Sequence, residues 1–335
     1  MGSRVLAARN IAAIAAALAT GLTVPACSAA VTQEPAPATT TAEPMATPTA
    51  TPARGPSEGA IPHILVIMEE NHGYATTVGA CGTGSPDPYL CSLASEYASL
   101  TQWYGVEHPS LPNYIDFVSG ADQGCTSDTC GGLYTATDLG GQLTAANIPW
   151  AAYMESMPSP CFTGATSGEY VRKHNPFIVF ADVTHASDCA KVEVPYPGAG
   201  GIAAALDATG APDFVWITPN LLNDMHDGTI QAGDAWLRTN LAPILSSSWF
   251  AGKGTVIITM DENDDQTAGS CCGDAAGGQI PMVVISHTSS GMGQIGLIGD
   301  HFGALGSVEE AYGLPLLGAA GDSANGDISG LFGGP

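Results

Sequence analysis

Ser110 stands between two prolines in His108-Pro109-Ser110-Leu111-Pro112-Asn113-Tyr114, directly before an apolar, helix-compatible run from Tyr114 to Val118. A serine at a helix start can cap the helix by accepting backbone N–H bonds. It can also be a nucleophile facing an anion at the positive helix end, where free N–H groups bind phosphate oxygens. The second role requires a base or a metal ion, because a serine hydroxyl is a poor nucleophile at neutral pH. Two carboxylate clusters could supply one: Glu69-Glu70-Asn71 and Asp261-Glu262-Asn263-Asp264-Asp265. Either cluster alone reads as solvated loop carboxylates. Brought together they would repel unless a cation sat between them, and a divalent metal is the usual solution.

Further candidates lie in Asn223-Asp224-Met225-His226-Asp227-Gly228. His226 suits a general acid for a leaving oxygen, or a donor to an anion. Asp224 or Asp227 could orient it or ligate a second metal. Arg172-Lys173-His174 places two basic residues beside a histidine, and an arginine can grip a phosphate with two hydrogen bonds. Surface salt bridging is the alternative for that pair, and a solvated loop side chain is the alternative for His226.

These residues must be positioned by buried elements. His63-Ile64-Leu65-Val66-Ile67-Met68 is a continuous apolar run with β-branched residues, as expected of a buried parallel strand, and it ends directly in Glu69-Glu70-Asn71. Similar runs occur at 213–218, 255–260 and 281–285, the second of these leading straight into Asp261. Helix-like stretches lie at 88–97, 139–146, 229–246 and 304–312. Strands alternating with helices predict an α/β layered fold with helices on both faces of the sheet. In open parallel sheets, sites form at the C-terminal strand edge, and both carboxylate clusters fall there. Glu69 and Glu70 should point apart, so the two are not equivalent at the site.

The chain has 335 residues and a net charge of −24. From about residue 60 onward only Arg172, Lys173, Lys191, Arg238 and Lys253 are basic, against 29 acidic residues, so nucleic acid is not an expected partner. Residues 1–27 read as a signal peptide: Arg4 and Arg9 precede an uncharged, Ala-rich run from Ile11 to Ala26. Val24-Pro25-Ala26-Cys27 is similar to a lipobox, so Cys27 is expected to carry a lipid anchor, with ordinary cleavage as the alternative. Residues 28–59, rich in Pro, Thr and Ala, read as a tether, and 60–335 as one domain, expected to be monomeric. Apart from Cys27, eight cysteines remain, enough for four disulfides in an exported protein. The adjacent Cys271-Cys272 would be strained if bonded to each other.

The order of the motifs carries a resemblance. Glu-Glu-Asn after the first strand, His-Pro-Ser-x-Pro-Asn-Tyr, Tyr170-Val171-Arg172-Lys173-His174, the Asn223–Gly228 segment, Gly233-Asp234-Ala235-Trp236-Leu237, Asp261-Glu262 and Gln279-Ile280-Pro281 resemble the phosphoesterase family that includes the SapM-type secreted acid phosphatases. That family is similar to the alkaline phosphatase superfamily. The resemblance implies a three-layer α/β/α sandwich with a mostly parallel sheet, and a metal-activated serine that takes the phosphoryl group and returns it to water. By position it implies Ser110 as nucleophile, Asn113 as a phosphate-binding amide, and Glu70, Asn71, Asp261 and Glu262 as ligands of a divalent ion, whether Ca, Mg, Mn or Zn. His301 matches a histidine of the pattern, as a ligand or phosphate contact. The implied substrates are phosphorylated small molecules or lipid head groups, phosphoinositides among them. A phospholipase C-like phosphodiesterase and a catalytically silent surface binding module are the rival readings. The cysteine-rich composition and the loop Gln266 to Gly278 depart from the pattern.

Overall fold

The computed structural model describes residues 61–265 and 275–334. The segments expected to be a signal peptide and a tether, with Cys27 and Cys271-Cys272, lie outside the described residues. The first strand, β1 (His63–Glu69), is laid down where the continuous apolar run predicts, with Ile64 through Met68 fully buried. It is followed by α1 (Pro88–Glu96), β2 (Ala98–Tyr104), α2 (Ser110–Ser119), α3 (Leu139–Ala145) and β3 (Trp150–Met154). A small hairpin of β4 (Thr166–Ser167) and β5 (Tyr170–Val171) leads to α4 (Ala181–Thr184), α5 (Cys189–Val192), β6 (Glu193–Pro195) and α6 (Gly198–Leu206). The chain then forms β7 (Phe214–Thr218), α7 (Ile230–Leu245), β8 (Gly254–Met260), β9 (Gln279–Ile285), β10 (Gln294–Asp300) and α8 (His301–Tyr312).

Eight strands form one sheet in the order β10-β2-β9-β8-β1-β7-β3-β6. β1 pairs in parallel with both β7 and β8, and every residue of β7 and β8 is buried, which is the signature of a sheet covered on both faces. One helical group packs α7 against α1 and α6, and another packs α2 against α8 and α3. The result is a three-layer α/β/α sandwich. β9 departs from the expected direction: it runs antiparallel to both β2 and β8. Its Pro281 has no N–H to give the ladder, and the β2 register slips opposite it, between Leu100 and Trp103. The other seven strands point their C-terminal ends to one edge, so Glu70, Ser110, Asp224 and Asp261 start from the same side.

Three disulfides occur among the described residues: Cys81–Cys91, Cys125–Cys130 and Cys161–Cys189. Each closes a loop beside the sheet, in keeping with an oxidising compartment.

The core contains acids away from this edge. Burial, with Glu107, Asp122 and Asp300 nearby, raises the Asp116 pKa to about 9, and burial raises Glu193 and Glu309 to about 8. Because the folded values lie above the unfolded ones, these groups contribute stability at low pH that is lost as pH rises through about 8 to 9. His301 works the other way: burial lowers its pKa to about 4, so its contribution is lost only below its ordinary value of about 6.5. Between about pH 6.5 and 9 the carboxyl groups alone decide the sign. The melting temperature should therefore fall across that window at fixed divalent-ion concentration, and Asp116→Asn should shrink the fall. A flat or rising profile in a thermal denaturation series would contradict these assignments.

Candidate active site

α2 begins at Ser110, with Pro109 as its N-cap, and the Ser110 hydroxyl makes no capping bond. It instead donates to Glu70 Oε2 at 3.1 Å, and it also lies within hydrogen-bonding reach of the Asp261 carboxylate. Ser110 is buried, as are Glu70 and Asp261. Local geometry enforces the meeting. Glu70 N donates to Asp224 O at 2.7 Å, and Asp261 N to Glu69 O at 3.2 Å, which ties together the ends of β1, β7 and β8. Gly105 lets the end of β2 close on β8: a Cβ there would lie 2.7 Å from the Asp261 carbonyl oxygen.

Glu70 is the hub. Its Oε1 accepts from Tyr114 Oη at 2.7 Å and lies 3.0 Å from His174 Nε2. His174 Nδ1 donates to Asp224 Oδ2 at 3.1 Å, so in the neutral tautomer Nε2 presents a lone pair to Glu70. Two flanking carboxylates favour protonation of His174, but complete burial opposes it, helped by Lys173 and His226, and holds its pKa well below the ordinary value. The Nε2 approach also lacks hydrogen-bond alignment. Asp261 Oδ1 accepts from Asn71 N at 3.1 Å, while its buried Oδ2 has no hydrogen-bond partner. Burial, then repulsion from Asp261 and Asp224, pushes the Glu70 pKa well up; burial, then Glu262, does the same to Asp261.

A buried lone pair facing a carboxylate, beside an orphaned carboxylate oxygen, is an arrangement that a cation would satisfy. Ligand atoms of Glu70, His174 and His226 lie within 4.8 Å of one another. With Asp261, these side chains offer the mixed oxygen and nitrogen donors that suit a divalent transition ion.

The remaining candidates divide. Lys173 enters the site, its Nζ donating to His226 Nε2 at 3.2 Å and to Asp128 Oδ2 at 3.0 Å. His226 Nδ1 donates to Asp227 Oδ1 at 2.8 Å. Asp224 is fully buried and holds His174 and the His226 backbone N–H. Its neighbour Met225 adopts φ +81° with its side chain buried, a turn that turns His226 back toward Lys173. His174, held at Nδ1 by Asp224, is a candidate ligand through Nε2.

Three expectations need correction. Arg172 is turned outward, with Nη1 near the Thr163 carbonyl at 3.5 Å, because the short turn Arg172–His174 sends its neighbours inward. Asn113 has no amide left for phosphate: Oδ1 accepts from Val106 N and Glu107 N, and Nδ2 donates to the Glu107 and Pro109 carbonyls. It shapes the loop that presents Ser110. His301 is fully buried and donates from Nε2 to the Asp261 carbonyl at 2.6 Å, so it supports the Asp261 backbone from behind. Glu262 pairs with His108 at the edge of the cluster. Tyr114, stacked on His174 at 5.5 Å and bonded to Glu70, was missed as a site residue, although its position four after Ser110 places both on one helix face. Asp128 was missed as well.

Residues 83–315 match the Phosphoesterase family. The chain belongs to that family. It is 30% identical over 263 residues to the phosphatidylinositol-3-phosphatase of Mycobacterium tuberculosis, covering 77% of this chain and 79% of that one. It is 32% identical over 238 residues to an acid phosphatase of Aspergillus fumigatus, covering 68% of this chain and 51% of the relative. The chain thus spans about half the length of that fungal enzyme. Family and relatives together place this phosphoesterase among the phosphatase hydrolases. Among solved structures, an alkaline phosphatase superfamily protein from Vibrio parahaemolyticus superposes with a TM-score of 0.53 at 12% identity over 77% of this chain and 68% of that one. The lipoteichoic acid synthase LtaP of Listeria monocytogenes does so with 0.52 at 10% identity, covering 79% and 76%. At such identity these likenesses establish the fold alone.

Proposed function

We propose that this phosphoesterase is an exported acid phosphatase that hydrolyses phosphate monoesters by attack of Ser110, through a phosphoserine intermediate. The observation that carries the reading is the Ser110 hydroxyl at the start of α2, committed to Glu70 inside a buried acidic cluster and not to its own helix. Ser110 Oγ forms the bond to phosphorus as the bond from phosphorus to the leaving oxygen breaks. Glu70 Oε2 is the acceptor placed for the Oγ proton. The leaving oxygen takes a proton from the Lys173–His226 pair, in which Asp227 holds Nδ1 and Lys173 donates to Nε2. Water then reverses the sequence at the phosphoserine and releases inorganic phosphate.

A divalent ion would fit Glu70, Asp261 and His174, leaving His226 to Lys173 and Asp227, and it would polarise the serine and phosphoryl oxygens. In so acidic a site, the ion and Lys173 would supply the positive field that an anionic substrate requires. Phosphoinositide head groups join the proposed substrates because the mycobacterial relative is named for one. Export, with a lipid anchor at Cys27, rests on the N-terminal sequence and is supported by the disulfides.

Substrate profiling tests the reading. With p-nitrophenyl phosphate and bis-p-nitrophenyl phosphate at equal concentration, kcat/KM should favour the monoester by about a hundredfold or more. The reverse ranking would make the site a phosphodiesterase, and turnover of neither would leave a silent binding module.

A further inference from the structure

We infer that Asp128 is a positioning residue, which aims Lys173 at the phosphoryl group and is itself held by the Cys125–Cys130 disulfide. The inference rests on the phosphoryl-transfer reading of the Ser110 site. Lys173 is the basic side chain that enters the cluster, since its neighbour Arg172 turns outward. A lysine ammonium rides on a flexible four-carbon stem, and its direction must be fixed by what its three N–H groups bind. One is donated to Asp128 Oδ2 at 3.0 Å and one to His226 Nε2 at 3.2 Å. The third is left for an incoming anion.

Asp128 is well suited to fix that direction, because its two oxygens are committed to different elements. Oδ2 binds Lys173, and Oδ1 accepts from Leu111 N at 3.1 Å, in the residue next to Ser110. The carboxylate therefore ties the lysine to the same helical turn that presents the nucleophile. Asp128 sits inside the five-residue separation closed by Cys125–Cys130, a loop also braced by Cys130 N donating to Ser127 O at 3.3 Å. A braced loop with both carboxylate oxygens engaged holds its partners still. The Lys173 and Asp128 side chains remain 20% and 32% exposed, so the pair borders the open side by which a substrate arrives.

A different role is conceivable for the same contacts: Asp128 could occupy the donors that a phosphoryl oxygen needs and compete with it. The two roles predict opposite signs. Binding of inorganic phosphate, followed by calorimetry in the presence of a divalent cation, separates them without requiring turnover. Asp128→Asn should weaken phosphate binding about tenfold, because the charged partner that aims the lysine is lost. In a Lys173→Met background the same substitution should change binding by less than about twofold, since a residue acting through Lys173 has nothing left to act on. Asp128→Glu should recover part of the loss, and the double variant Cys125→Ser, Cys130→Ser should weaken binding in the same direction with Asp128 intact. In turnover, KM should rise more than kcat falls. Equal losses in both backgrounds would show that Asp128 acts independently of Lys173, and tighter binding in Asp128→Asn would show competition; either overturns the inference, as would a wild type that binds no phosphate. If the cycle behaves as expected but no phosphomonoester is hydrolysed, the catalytic reading fails and the positioning role stands. If Ser110→Ala abolishes turnover while the cycle is additive, the reverse holds.

Discussion

Ser110→Ala should lower phosphomonoester turnover by about four orders of magnitude or more, as removal of a covalent nucleophile does elsewhere. Folding should be spared. The hydroxyl caps no helix, and the side chain is small, so the melting temperature should move by no more than a few degrees. Inorganic phosphate should still bind in the presence of the divalent ion, because Lys173 and the side chains that would hold the ion remain. The three readouts together distinguish loss of the nucleophile from loss of the site. A variant that kept wild-type turnover would remove Ser110 from the mechanism, whatever the fold family.

Removal of the divalent ion should have the second largest effect, and it should appear in stability as well as activity. Without a cation, Glu70, Asp261 and Asp224 face one another in a buried site, and each has a pKa raised first of all by burial. A ligand present at about a thousand times its dissociation constant stabilises the folded state by about 4 kcal/mol, which for a domain of this size corresponds to about 10 °C in melting temperature. Chelation should therefore abolish activity and lower the melting temperature by about that much, with both restored on adding the metal back. Glu70→Gln separates charge from ligation. It removes one of the mutually repelling carboxylates, so the chelated variant should be more stable than the chelated wild type, while added metal should no longer raise its melting temperature. Indifference of the wild type to chelation in both measurements would rule the ion out.

Much of this was legible in the sequence, for identifiable reasons. A continuous apolar run can only be a buried element, so β1 and its exit into Glu70 could be placed before any coordinates, as could β8 and its exit into Asp261. Strand direction is not written in burial. β9 has the same apolar character as its parallel neighbours, and only its pairing shows that it runs the other way. β2 was not anticipated because Ala98–Tyr104 mixes Ser, Thr and Gln with its apolar residues, and β10 alternates between exposed and half-buried positions over Gln294–Ile298 at the sheet edge.

Residue type, similarly, predicted presence near the site better than role. Arg172 and Lys173 are adjacent and equally basic, and a three-residue turn decides that only the lysine faces inward. Asn113 has the chemistry to bind phosphate, but the backbone of its own loop claims all of its hydrogen-bonding capacity. His174 became a candidate ligand once Asp224 was seen to hold its other nitrogen. Asp128 is one acid among many in sequence, and its pairing with residues 111 and 173 exists only in the fold.

The most direct test is to trap the intermediate. Rapid acid quenching of the metal-loaded enzyme during turnover of a phosphomonoester, followed by proteolysis and mass spectrometry, should find a phosphoryl group on the peptide containing Ser110, and none in Ser110→Ala. A phosphoryl group on His226, or no phosphorylated peptide while turnover proceeds, would contradict the serine mechanism.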